Sequence, residues 1–156
     1  MYLVECKPDE IVVDFLTLAT RENVRHAGNK SELLKTLTTR YENSKGIVDE
    51  DPGRIQPPQL QKFQEQQDLT TYNLRILHQA SRNNMLIVLC PTLEDWILKA
   101  AQEANVDPKE YGLPDEPMRL HNQVNFLLDK LQKLLDELRT TSNRFRELKK
   151  YLTTDI

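Results

Sequence analysis

Three carboxylates stand where metal-assisted phosphate chemistry would need them. Asp49 and Asp51 lie two residues apart at the end of the apolar run KGIVD, and Glu5 closes the short apolar run that opens the chain. If both runs are strands of one parallel sheet, all three side chains reach the same rim. Ligand crevices in such sheets lie outside the carboxyl ends of the strands. In an extended segment residues two apart share a side, so Asp49 and Asp51 can both reach one cation. Hard oxygen ligands from separate strand ends suit Mg²⁺ or Mn²⁺, with the remaining positions left to water and substrate. Each acid taken singly reads as an ordinary exposed loop residue; the combination carries the chemistry.

Other chemistries find less support. The four glycines, at positions 28, 46, 53 and 112, build no phosphate-cradling loop. His26, His78 and His121 share no ligand spacing with the cysteines, so zinc is not expected. Ser81 and Ser142 lack the context of an activated nucleophile. Cys6 and Cys90 each follow an apolar run and read as buried, inert thiols, and two cysteines make no disulfide framework, which agrees with a reducing cytoplasm. Trp96 reads as a packing residue.

The elements that must position the carboxylates alternate. Residues 2–6 read as a strand, 9–20 as a helix with Ile11, Val12, Phe15 and Leu16 on one face, and 23–26 as a second strand. Gly28-Asn29 marks a turn before a helix carrying Leu33, Leu34 and Leu37, and 45–49 form the next strand, stopped by Asp51-Pro52-Gly53. The glutamine-rich stretch 57–70 is expected to be a solvated loop or a short surface helix. Residues 74–77 and 85–90 read as two strands joined by a tight turn and therefore antiparallel. Thr92 caps a helix over 93–104. After Pro117 one long helix is expected, because Leu120, Val124, Leu127, Leu128, Leu131, Leu134, Leu135 and Leu138 recur at helical steps. A final helix carries Phe145, Leu148, Tyr151 and Leu152. The pattern predicts an α/β fold, a mainly parallel sheet flanked by helices, with a helical C-terminal extension.

A length of 156 residues allows one domain of ordinary size, and 38% hydrophobic residues with 29% charged and a mean hydropathy of -0.61 predict a globular chain. The longest apolar run, residues 85–90, is far short of the roughly twenty a membrane helix needs. The start YLVEC carries neither a basic leader nor a cleavage site, so no membrane and a cytoplasmic location are expected. The net charge of -3 conceals a division: residues 119–151 carry a local balance of +4, and everything before them sums to -6. Arg144, Arg146, Lys149 and Lys150 read first as solvating residues of the last helix, with nucleic-acid contact as the minority reading. The leucine stripe reads as core, with a homodimer or a partner protein bound through the C-terminal helices as its alternative.

VECKPDE, followed by a helix-strand-helix interval and then GIVDEDPG, resembles the Toprim family, the catalytic domain shared by topoisomerases, primases and overcoming-lysogenization-defect nucleases. That family carries a glutamate at the end of its first strand, matched by Glu5, and an aspartate-x-aspartate motif at the end of a later one, matched by Asp49 and Asp51. Lys7 and Asp9 resemble the lysine and aspartate that follow the glutamate in the nuclease branch. CPTLEDWI is similar to an acidic element of small stand-alone relatives and adds Glu94 and Asp95. The resemblance implies a Toprim-like domain over residues 1–116, with 117–156 as the helical extension. It further implies a Mg²⁺- or Mn²⁺-dependent nuclease, a phosphodiesterase of nucleic acid, in phage defence or repair. In that reading Glu5, Asp49 and Asp51 are catalytic, these with Glu94 hold metal, Lys7 contacts substrate phosphate, and Asp9 and Asp95 are further candidates. The family usually has glycine after the glutamate, where this chain has Cys6. The competing expectation is a non-catalytic binding or regulatory subunit of a partner ATPase or nucleic-acid complex.

Overall fold

In chain order the computed structural model, which describes residues 1–156 apart from the side chain of Arg21, runs β1 (Tyr2–Val4), α1 (Lys7–Thr17), β2 (Val24–His26), α2 (Lys30–Arg40), β3 (Lys45–Asp49), β4 (Gln64–Leu69), β5 (Leu74–Gln79), β6 (Asn84–Leu89), α3 (Leu93–Glu103), α4 (Pro117–Gln123), α5 (Leu128–Thr141) and α6 (Asn143–Thr153), with short 3₁₀ turns between several of them. The sheet order is β2-β1-β3-β6-β5-β4. β2, β1, β3 and β6 run parallel, while β5 and β4 are antiparallel to their neighbours. The protein is thus α/β with a six-stranded, mixed sheet between helices. No helix among the described residues is long and apolar enough to cross a membrane.

Alternation of side chains along each strand divides the core into two layers. Val4, Ile47, Ile76, Ile87 and Leu89 face one side, where α1, α3, α5 and α6 supply Ile11, Trp96, Leu135 and Phe145. Leu3, Val48, Leu77, Leu86 and Val88 face the other, covered by Leu33, Leu34 and Leu37 of α2 and by Phe63. Gly46 lies under α2: a Cβ there would meet Leu37 Cδ2 at 2.9 Å, Leu33 Cδ2 at 3.0 Å and Leu86 Cδ1 at 3.1 Å. Its missing side chain sets how closely that helix approaches the sheet.

Polar groups inside this core are paired. Asn84, fully buried, donates to the carbonyls of Leu37 and Tyr41 and to Gln79 Oε1 while accepting from the Ser44 amide, so β6, α2 and β3 meet at one side chain. Lys45 Nζ donates to the carbonyl oxygens of Tyr151 and Leu152, each at 2.8 Å, and to that of Thr154. These are the carbonyls a helix end leaves unsatisfied, and a cation is favoured there. Tyr2 Oη donates to the Leu152 carbonyl at 2.8 Å from the neighbouring strand. The amino ends of β1 and β3 therefore fasten α6.

Two segments differ from the expectations set by the sequence. Part of the glutamine-rich stretch is the edge strand β4, paired with β5 through a register shift between Glu65 and Gln67. A strand open to solvent on both faces needs no apolar alternation, and polar side chains and bulges suit an edge. The long C-terminal helix is two, α4 and α5, separated by a 3₁₀ turn at Val124–Phe126. Asn122 and Asn125 favour turns over helix continuation, and the break buries Leu120 and Val124 while leaving Phe126 87% exposed. The leucine stripe itself is consumed internally, with Leu131, Leu134, Leu135 and Leu138 fully buried against α1 and α6.

Gly46→Val is expected to destabilise the protein by about 1–3 kcal/mol through overpacking. Urea unfolding checks this; an unchanged midpoint would mean that α2 yields freely and that the close approach is incidental.

Candidate functional site

The carboxyl ends of the parallel strands open onto a cleft of about 350 Å³ lined by Glu5, Asp49, Asp51, Arg54, Thr92, Glu94, Asp95, Pro117, Met118 and His121. Sequence-remote segments meet there because β1, β3 and β6 are neighbours in the sheet. The loops beyond β3 and β6 are laced together: the Glu50 amide donates to the Leu89 carbonyl at 2.9 Å and the Asp51 amide to that of Pro91 at 3.1 Å. All five carboxylates expected at this rim from strand-end and motif position, Glu5, Asp49, Asp51, Glu94 and Asp95, line the cleft.

The acids differ in their surroundings. Asp49 Oδ1 accepts the Leu93 amide at 2.8 Å, at the first turn of α3, where a negative charge is favoured. Asp51 lies beyond the strand with φ at 51°, in the left-handed region that aspartate tolerates. It shares the cleft with Asp49 because the chain turns, and not because the two acids alternate along one extended strand. Asp95 is engaged as a cap partner, receiving the Thr92 hydroxyl at 2.7 Å while Thr92 Oγ1 accepts the Asp95 amide at 3.2 Å. Asp9 sits behind the cleft and is buried; its Oδ2 receives the Cys6 amide at 3.1 Å and the Cys6 thiol at 3.2 Å at the start of α1. Cys6 is an exposed residue, contrary to its sequence reading, because it serves as the turn into α1 and not as the last residue of a buried strand. Cys90 is half-buried, and burial, reinforced by the charge of Glu50, pushes its thiol up to about 12. Both cysteines are unpaired.

Gathering these acids has an electrostatic cost. Burial, followed by the charges of Asp9, Glu94, Glu5 and Asp51, raises the Asp49 carboxyl to about 8. Burial and then Asp9 raise Glu5 to about 7, against the opposing effects of a backbone hydrogen bond at Asp49 and the charge of Lys30. Burial raises Asp9 to about 6. Glu5 Oε1 is a buried oxygen without a hydrogen-bond partner among the described residues, a state that ordinarily costs about 1–3 kcal/mol.

The residues fit a hard divalent cation in kind. Their donors are carboxylate oxygens, the Glu5 oxygen is unsatisfied, and the mutual repulsion is of the sort a cation relieves. Among the described residues no three His, Cys, Asp or Glu side chains already converge on one point. Mg²⁺ does not need such a cage, since it usually keeps several waters and binds through one or two carboxylates plus substrate phosphates.

Lys7 lies away from the cleft lining. Its Nζ pairs with Glu10 at 2.9 Å, and His26 contacts the same carboxylate. Three basic side chains, two in the cleft lining and one beside it, were not singled out by sequence pattern. Arg54 lines it. His121 on α4 places Nδ1 3.2 Å from Glu94 Oε1, so the helical extension contributes directly to the rim. Lys30, at the first turn of α2, stands 3.8 Å from Asp51 Oδ2. The GNK turn was the available signal for Lys30; nothing in the local pattern around Arg54 or His121 indicated their place. Arg144, read as a solvating residue, is buried and donates to Glu103 and to Asn73 Oδ1 at 2.7 Å. Trp96 is a packing residue, its ring 5.0 Å from that of Phe145 and its Nε1 donating to the Tyr72 carbonyl.

No family model, curated protein or solved structure matches the chain.

An acid whose pKa is raised by folding holds its proton more tightly in the folded chain, so stability falls as pH rises from the ordinary carboxylate range toward the raised value. Asp49→Asn keeps an acceptor for the Leu93 amide and removes the charge. In metal-free buffer it is expected to melt on the order of 5 °C above wild type at pH 8, with the difference vanishing near pH 4. A lower melting temperature at pH 8 would show that the charge itself supports the fold.

Proposed function

We propose that this protein is a Mg²⁺- or Mn²⁺-dependent nuclease, a phosphodiesterase acting on nucleic acid through a Toprim-like domain over residues 1–116. The observation that carries the reading is the assembly of Glu5, Asp49, Asp51 and Glu94 around one cleft at the carboxyl ends of parallel strands, with a buried Glu5 oxygen left unsatisfied. When bound, a divalent cation supplies charge neutralisation at the phosphate and at the leaving oxygen. Asp49 and Asp51 hold it, and Glu94 extends the ligand set toward a second ion. Glu5 serves as ligand or as proton relay, a role to which a carboxyl raised to about 7 is suited. Asp9 holds the backbone of Cys6, the residue after Glu5, and Asp95 anchors the turn into α3. A substrate role for Lys7 requires its pair with Glu10 to open. Nucleic acid approaching an acidic floor depends on the cation for its attraction. Two unpaired cysteines agree with a reducing cytoplasm, and phage defence or repair is the setting the Toprim resemblance suggests.

A second reading, a non-catalytic subunit of a partner ATPase or nucleic-acid complex, draws on Cys6 in the place where the family usually has glycine. A homodimer or partner contact would then use the exposed faces of the C-terminal helices.

Purified protein is expected to cleave plasmid or single-stranded DNA or RNA with Mg²⁺ or Mn²⁺, and Glu5→Ala or Asp49→Ala to lower the rate by roughly 10²-fold or more. Calorimetry with Mn²⁺ is the companion measurement, because it does not depend on a partner. Binding that survives Asp49→Ala combined with Asp51→Ala would remove the metal site, and undiminished cleavage by the two single variants would remove the enzymatic reading.

A further inference from the structure

The loop that carries Asp51 is held by one ammonium group. Lys30 Nζ donates to the Asp49 carbonyl at 2.6 Å, the Glu50 carbonyl at 3.0 Å and Gln56 Oε1 at 2.7 Å. A lysine ammonium has three protons, and all three are used. Its side chain is only 11% exposed, and Asp51 Oδ2 lies at 3.8 Å, within electrostatic reach but outside hydrogen-bond range. Gln56 completes the closure from the other side, its Nε2 donating to the carbonyls of Glu50 and Asp51, each at 3.1 Å, and of Arg54 at 3.3 Å. The base of Lys30 is fixed as well. The Gly28 amide donates to the Glu5 carbonyl at 3.1 Å, and Asn29 caps α2 by accepting the Glu32 amide at 2.9 Å. The backbone of Glu5 and the loop beyond β3 are therefore tied through one short turn and one side chain.

We propose that Lys30, seconded by Gln56, is the positioning residue of the cleft: it sets the path of residues 49–56 so that Asp49 and Asp51 face Glu5, and it does not itself contact substrate. The metal-binding part of this proposal rests on the nuclease reading; the loop-positioning part does not.

Two opposed effects make the role measurable. Removing a cation 3.8 Å from Asp51 would, on Coulomb grounds alone, tighten the binding of another cation. Releasing the loop would weaken it, on the scale of about 10–100-fold for groups that orient metal ligands. Lys30→Met, which keeps the apolar stem, is to be compared with wild type in two measurements. In metal-free protein, tryptic cleavage after Arg54 is expected to accelerate by about tenfold or more while the melting temperature stays near that of wild type, the signature of local opening. In Mn²⁺ calorimetry, affinity is expected to fall despite the lost positive charge. An unchanged cleavage rate, or Mn²⁺ binding as tight as or tighter than wild type, overturns the positioning role. If wild type binds no Mn²⁺, the nuclease reading fails and the metal-free proteolysis alone decides for or against Lys30. Should Lys30→Met not fold, Gln56→Leu keeps the ammonium, loosens the same loop, and is expected to give both shifts.

Discussion

The cleft depends on β1, β3 and β6 lying side by side and running the same way. Pairing Tyr2 with Lys45 and Asp49 with Leu89 aligns the strands so that their exits fall along one rim. Parallel neighbours require a long connection: α1 leads from β1 to β2 and α2 from β2 back to β3, whereas β3 and β6 are joined through β4 and β5 at the antiparallel edge. The chain between Glu5 and Asp49 is thereby spent on α1, β2 and α2, which cover both faces. The same parallel order sends the amino ends of β1 and β3 to the opposite rim, where Tyr2 and Lys45 seize the end of α6. One rim is built for cohesion, and the other accumulates repulsion.

That repulsion is tolerated because it is local and the rest of the interior is well paired. Burial and the neighbouring charges raise the proton affinity of Asp49 and Glu5, yet the layers beneath them are closed apolar sets with few polar intruders. The intruders are each satisfied: Asn84 uses its amide and its oxygen, Arg144 is bracketed by Glu103 and Asn73, and Lys45 meets a helix end. A buried polar group with its partners in place costs little and holds its neighbours to one arrangement. The unsatisfied Glu5 oxygen stands apart from this pattern, and it lies in the cleft.

Much of this was legible in the amino-acid sequence, for reasons that can be traced. The short strands declared themselves because β-branched and apolar residues such as Ile47, Val48, Ile87 and Val88 sit between turn residues, and a parallel sheet followed from their alternation with helices. The meeting of Glu5 and Asp49 then followed from topology, whereas Glu94 was expected only through the Toprim resemblance. β4 was hidden because an exposed edge strand carries no apolar signature, and the division between α4 and α5 because leucines continue at helical spacing across a break set by two asparagines. Lys30, Arg54 and His121 were hidden for a different reason. A charged residue declares a role only through its partners, and those of Lys30 and His121 are backbone carbonyls or residues distant in sequence, while Arg54 is placed only by the cleft it lines. Arg144 shows the converse: four basic residues near one another suggested a common surface, and the fold buried one of them.

Gly46 carries a consequence beyond packing. By letting Leu33 and Leu37 settle against the sheet, it fixes the height of α2 above β3. Lys30 begins that helix, and its ammonium must span a set distance to the carbonyls of Asp49 and Glu50. The clearance under the middle of the helix is therefore also the reach of its first residue, as the fulcrum of a lever sets the travel of its tip. A methyl group added deep in the apolar layer would be felt at the rim as a change in the loop that presents Asp51, so that a position with no side chain of its own belongs functionally to the cleft.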